Sequence, residues 1–176
     1  MLYKVVKYLN NPLLERPAAP VAEPEFNTVE LDRLIEDMFE TMYASHGIGL
    51  AAPQIDVGKR LTVIDIAGAE EEQEPQRIVL INPEVIAKEG RQTGEEGCLS
   101  IPGFREPVSR AKKAVVRARD AKGATFEITG EDLLARCFQH EIDHLNGVLF
   151  ISHLSALKRD LIKRRIKKLQ KAGEWE

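Results

Sequence analysis

A chain of 176 residues with 43% hydrophobic content is long enough to bury a substantial core, and it fits one domain, 1–176, better than two. Its 25 basic residues against 28 acidic ones leave a formal charge of −3, which excludes wholesale nucleic-acid binding and confines any basic function to a local patch. No apolar run reaches leader or membrane-spanning length, and Cys98 and Cys137 read as thiols kept reduced, so a soluble, cytoplasmic protein is expected.

Four prolines make residues 11 to 25 an extended or turn-rich segment. A helix is predicted from Asn27, where Asn27 and Glu30 have capping-box spacing and Phe26 and Leu31 form a hydrophobic staple. Leu31, Leu34, Ile35, Met38, Phe39, Met42 and Tyr43 carry its apolar stripe to about His46-Gly47. The β-branched runs Leu61 to Ile66 and Ile78 to Ile81 predict two strands joined by an acidic surface loop holding Glu70, Glu71, Glu72 and Glu74. Ala114 to Arg119 and Ala124 to Thr129 flank Asp120-Ala121-Lys122-Gly123, a β-hairpin pattern. A second helix is expected from Glu131 to about Leu145, closed by Asn146-Gly147, and a third over roughly Ser155 to Lys171 with a strongly basic outer face.

His140-Glu141-Ile142-Asp143-His144 sets two imidazoles one helical turn apart, close enough to hold one ion, with a carboxylate between them. The pair extends the apolar stripe of Leu133, Leu134, Cys137, Phe138 and Leu145, so these polar groups need partners inside the protein; Gln139 and Asp143 are candidates to orient them. A catalytic ion ordinarily takes three protein ligands. Cys98, in the glycine-rich stretch Gly94 to Gly103, is the better candidate for the third, because His153 follows His144 only after the Gly147 break. Cys98 alone also reads as a buried structural thiol, and Cys137 is left under that reading. A third stretch, Gly47-Ile48-Gly49-Leu50-Ala51-Ala52-Pro53-Gln54, read alone, is a turn of small residues.

Together the three stretches resemble peptide deformylases, whose signatures are a Gly-x-Gly-x-Ala-Ala-x-Gln loop, a Glu-Gly-Cys-x-Ser segment and a Gln-His-Glu-x-Asp-His helix. Gly47, Gly49, Ala51, Ala52 and Gln54 carry the first; Glu96, Gly97, Cys98 and Ser100 the second; Gln139, His140, Glu141, Asp143 and His144 the third. The resemblance implies an α+β fold in which antiparallel sheets pack around the metal-bearing helix, followed by a C-terminal helix. It also implies removal of the formyl group from N-terminal formylmethionine of new polypeptides.

By the same resemblance Cys98, His140 and His144 hold the ion, whose water is the nucleophile, with Glu141 as general base and then acid. The Gln54 amide and the Leu99 backbone N–H would stabilise the oxyanion, and Ile48, Gly49, Gly97, Leu133, Arg136, Cys137 and His140 would line the peptide site, with Arg105 near the incoming backbone. Gly94 and Arg136 depart from the larger apolar residues of many relatives. Coordination chemistry alone favours zinc; the resemblance implies a single Fe(II) per chain, replaceable by zinc, nickel or cobalt. N-formylmethionyl nascent peptides are the expected partners of a monomer with no membrane association. The basic last helix reads either as a ribosome contact or as a solvated face. Competing readings are a metallopeptidase, for which no further downstream ligand is present, and a non-catalytic metal-binding module, against which Glu141 and Gln54 count.

Overall fold

The computed structural model describes residues 1–68 and 74–176, so Glu70, Glu71 and Glu72 of the expected acidic loop lie outside the described residues, while Glu74 is exposed. Helix α1 (Val29–Ala44) starts one residue later than the capping pattern suggested: Thr28 is the cap, its Oγ1 accepting from the Leu31 N–H at 3.2 Å. Asn27 instead takes a left-handed conformation (φ 58°), which asparagine tolerates better than most residues. Phe26 and Leu31 are nonetheless both buried in the cluster beneath α1, so the staple pair still anchors the helix start.

Strands β1 (Gly49–Ala51), β2 (Leu61–Ile64), β3 (Ile78–Glu89), β6 (Lys113–Arg119) and β7 (Thr125–Glu131) form an antiparallel five-stranded sheet in the order β1-β2-β3-β6-β7. Strands β4 (Gln92–Cys98) and β5 (Ile101–Arg110) form a separate antiparallel pair. The Asp120 hairpin appears as expected, with Asp120 Oδ1 accepting from the N–H groups of Lys122 and Ala124. Strand β3 runs eight residues past the apolar stretch that marked it. Its polar second half pairs with β6 through register shifts, a continuation that alternation of hydrophobicity does not signal. The small-residue stretch is strand β1 followed by a 3₁₀ turn at Ala52–Ile55, more ordered than the loop expected.

Helix α2 (Asp132–Leu145) leaves β7 directly and lies against the five-stranded sheet. Every residue from Ala135 to Ile142 is buried, so the helix is enclosed all round and not merely along a stripe. Phe138 and Ile142 pack with Ile64, Leu80 and Val116 of the sheet, while Phe150 stacks on His140 in a second cluster holding Ile101, Val108, Ile162 and Ile166. Helix α3 (Ala156–Lys171) closes that cluster with buried Ile162 and Ile166 and partly buried Leu169, while Leu157 and Leu161 are exposed at 70% and 54%. Trp175 then folds back, its Nε1 donating to the Tyr8 carbonyl at 2.7 Å.

The end of α2 is fixed by Gly147, at φ 75°, where an added Cβ would meet Arg16 and Glu15 backbone atoms at 2.7 to 2.8 Å. Backbone cannot yield there as a flexible side chain can. Gly147→Ala should therefore lower stability by at least about 2 kcal/mol, read as a lower urea midpoint, since the left-handed conformation alone costs on the order of 1 to 3 kcal/mol.

Candidate metal centre and peptide site

Residues four apart on α2 face one way, and burial of the whole helix forces His140 and His144 to point into the protein toward the β4–β5 turn, where Cys98 ends β4. The Nε2 atoms of His140 and His144 stand 3.2 Å apart, and Cys98 Sγ lies 3.4 Å from His144 Nε2. All three candidate donor atoms fall within 4.8 Å of one another. A tetrahedral ion with N and S ligands at ordinary bond lengths separates those ligands by about 3.3 to 3.7 Å, so the cluster is the right size. Two imidazole nitrogens this close also cannot both donate, nor both accept, without a cation between them.

The surrounding charge favours a cation as well. Burial pushes the His140 imidazole down, but Cys98, Glu96 and Glu141 more than offset this and bring it up to about 10. Burial and the neighbouring His140 hold His144 well below the usual imidazole range. The donor set therefore fits a divalent ion, with an anionic shell around it.

Glu141, 4% exposed, accepts from Thr62 Oγ1 through Oε2 at 3.4 Å. Burial raises its carboxyl to about 7, opposed by His140 and the Thr62 hydroxyl. A Cβ on Gly49 would stand 2.6 Å from Glu141 Oε1, which explains why this position carries no side chain. The Gln54 amide is oriented without ambiguity: the Ala51 N–H can only donate, so Gln54 Oε1 accepts from it at 2.9 Å and Nε2 faces Cys98 Sγ at 3.5 Å and Ser100 Oγ at 3.2 Å.

A cavity of about 550 Å³ joins these groups. Ile48, Gly49, Gln54, Gly97, Cys98, Leu99, Arg105, Leu133, Arg136, Cys137, His140 and Glu141 all line it, so all the peptide-site residues expected from the sequence meet in one place. Cys137 is also buried, its thiol pushed well up by burial, in keeping with its reading as a structural cysteine. Arg105 is exposed at the mouth with Glu95 3.8 Å away. A larger cleft of about 750 Å³ lies behind α2 along Arg60, Lys88, Ser109 and His153. Of the only three-ligand cluster among the described residues, Cys98 and His140 line the smaller cavity.

Two expectations need correction. Gln139 does not orient a histidine: its amide bonds the Ala111 N–H and the carbonyls of Ala111 and Ala135. Asp143 is likewise turned away, toward Arg110 at 2.6 Å and His153 at 2.8 Å. The partner of His140 Nδ1 is Glu96 Oε1 at 3.2 Å, and Glu96 is in turn held by Arg110 at 3.1 Å. The sequence named Glu96 only as a motif position; its role depends on β4–β5 register, which no local pattern discloses. His46 and Phe104 also line the cavity, although neither was singled out from the sequence.

The polypeptide deformylase family model matches residues 2–160. The chain is 60% identical over 175 residues to a peptide deformylase of Acidobacterium capsulatum, covering 99% of each chain. It is similar in structure to a peptide deformylase from Legionella pneumophila (TM-score 0.87, 45% identity, 100% and 99% of the two chains covered). A Met-Ala-Ser-bound peptide deformylase from Acinetobacter baumannii also matches (TM-score 0.82, 34% identity, 88% and 99% covered). Peptide deformylases are metal-dependent hydrolases that remove the N-formyl group from the N-terminal formylmethionine of nascent chains. With its family, its fold and a donor cluster suited to an ion in agreement, the chain belongs to the peptide deformylases.

Proposed function

We propose that Cys98 Sγ, His140 Nε2 and His144 Nε2 hold a single Fe(II), with zinc, nickel or cobalt as replacements, and that Glu141 is the general base and acid of deformylation. The observation that carries this reading is the convergence of the donor cluster, a buried carboxyl raised to about 7 and the Gln54 amide in one cavity. When bound, the ion lowers the pKa of a water and polarises the formyl carbonyl. Glu141 Oε2 is tethered by Thr62, leaving Oε1 to take the proton of the attacking water and pass it to the leaving nitrogen. Gln54 Nε2 and the Leu99 N–H donate to the oxygen as it gains charge, an interaction strongest in the transition state. Formate and a free amino terminus are the products.

The methionine side chain enters between Ile48, Leu133, Arg136, Cys137 and His140, the peptide backbone lies along Ile48, Gly49 and Gly97, and Arg105 meets the incoming backbone. The Met-Ala-Ser complex of the Acinetobacter baumannii relative supports a tripeptide in the corresponding cavity. The whole chain acts as one catalytic domain, as a cytoplasmic monomer; no helix of the described residues is long and apolar enough to cross a membrane. Exposed Leu161 with Arg164, Arg165, Lys167, Lys168 and Lys171 on α3 supports a ribosome contact, through phosphates, over a merely solvated face.

Formate release from formyl-Met-Ala-Ser by anaerobically purified protein tests the reaction. About one iron per chain, with activity lost on chelation and restored by Fe(II), Ni(II) or Co(II), is the expected result. Zinc alone in the active protein would overturn the iron assignment, and cleavage of unformylated peptides would replace deformylation by proteolysis.

A further inference from the structure

A third cavity, of about 260 Å³, lies between the amino-terminal segment, residues 147–152 and helix α3, and it shares no lining residue with the metal cavity. Tyr8, Glu15, Ser152, Arg159 and Lys163 supply its polar side chains. Pockets for drug-sized ligands run from roughly 300 to 1,000 Å³, so this one suits a group of few atoms.

Tyr8 is 2% exposed, and its backbone is held on both sides: its N–H donates to the Ser100 carbonyl at 2.9 Å and its carbonyl accepts from Trp175 Nε1 at 2.7 Å. The hydroxyl makes no hydrogen bond among the described residues, yet it is not one of the buried atoms left without a partner, so water reaches it, and this cavity is where Tyr8 meets solvent. Burial pushes the phenol up to about 12, Glu15 adding to the rise and Arg159 opposing it, so the hydroxyl stays a donor at neutral pH. Arg159 and Lys163 stand four residues apart on one face of α3. Of the basic side chains on that helix they are the two that are half-buried, the others being exposed. Among the described residues neither forms an ion pair, whereas neighbouring Lys158 pairs with Glu106 at 3.1 Å.

Solvation accounts for either cation taken alone. It does not account for the phenol: a hydroxyl in a residue this enclosed, with no partner in the protein, gives up hydrogen bonds to water that a phenylalanine would not need. We propose that this cavity binds a single phosphate group, held by the Tyr8 and Ser152 hydroxyls and by Arg159 and Lys163. Donors from three separate segments suit a tetrahedral oxyanion, whereas a planar carboxylate is met by one guanidinium. Inorganic phosphate, a phosphate monoester and an RNA backbone share this chemistry. Neither cation belongs to the exposed set on α3 assigned above to a ribosome contact. Glu15 is the one adverse charge on the wall, and it weakens the hold on an anion.

Calorimetric titration of the metal-loaded protein with inorganic phosphate, at constant ionic strength, is the test. One phosphate per chain with a Kd of about 1 mM or tighter is expected. Tyr8→Phe should weaken binding about tenfold and Lys163→Gln at least about fivefold, the worth of hydrogen bonds to a charged group. Glu15→Gln should tighten it about two- to fivefold, by removing an exposed adverse charge. Lys122→Gln, which loses the same charge as Lys163→Gln but on the β6–β7 hairpin, should leave it unchanged. Displacement of the phosphate by a short single-stranded RNA without terminal phosphates would identify a nucleic-acid backbone as the source, and failure to displace it a free phosphate or monoester; both uphold the site. Absence of saturable binding overturns the proposal. So does a Kd equal in wild type, Tyr8→Phe, Lys163→Gln and Glu15→Gln, since the phosphate then sits on the bound ion or on the outer face of α3. Should Tyr8→Phe or Lys163→Gln fail to fold, the opposite responses expected of the exposed variants, tighter in Glu15→Gln and unchanged in Lys122→Gln, decide the matter.

Discussion

Glu141→Gln should lower kcat for formyl-Met-Ala-Ser by about 10² to 10⁴-fold, the range that a positioned general base or acid supplies, while the protein keeps its bound metal. Gln has the shape of Glu and can still meet Thr62, so the change removes proton transfer with little change in packing. The candidate donor atoms belong to Cys98, His140 and His144, and none is altered. Stability offers an independent check with a definite sign. The carboxyl of Glu141 rises from 4.5 to about 7 on folding, chiefly through burial, so the folded chain holds this proton more tightly than the unfolded chain. The contribution of Glu141 to stability is thus full below about 4.5 and is lost as pH rises through about 7. Glu141→Gln should flatten that part of the stability profile, and its urea midpoint at pH 8 should equal or exceed that of wild type. Unchanged kcat with metal retained would remove Glu141 from the mechanism, and loss of the ion would recast it as a residue that shapes the metal site.

The two candidate donors on α2 were legible in the sequence because they obey a local rule. His140 and His144 share a helix face, and their place beside Cys137 and Phe138 on an apolar stripe marked them as inward-facing. Cys98 was harder, since a lone cysteine has no periodicity; its glycine-rich setting and the need for a third ligand singled it out. The small-residue stretch gave up its meaning only in three dimensions, where Gly49 makes room for Glu141 and Ala51 aims Gln54. What the sequence did not disclose depends on pairing across distance. The polar half of β3 is a strand because β6 lies beside it, and Arg110 meets Glu96 because β4 and β5 pair in one register. Such contacts are decided by tertiary structure and leave no trace in local propensity.

That hidden pairing carries the other large effect. Glu96 is 5% exposed and accepts from Arg110 at 3.1 Å while its Oε1 faces His140 Nδ1 at 3.2 Å; Arg110 goes on to Asp143 and His153. Burial alone would raise the Glu96 carboxyl, but the hydrogen bond and charge of His140, joined by those of Arg110, bring it down to about 2. Because the folded value lies below the unfolded 4.5, the contribution of Glu96 is present above about 4.5 and is lost as pH falls toward about 2. Glu96→Gln should remove that acid-side slope and destabilise the protein by on the order of 3 kcal/mol at neutral pH, since Arg110 keeps its burial and loses a charged partner. It should also weaken metal binding about 10- to 100-fold, the usual cost of losing the group that orients a ligating imidazole. Competition with a chelator measures the second effect and urea unfolding the first. A Glu96→Gln protein with native stability and native metal affinity would mean that Asp143 alone suffices to hold Arg110, and that His140 is oriented by the packing of Phe150 against its ring.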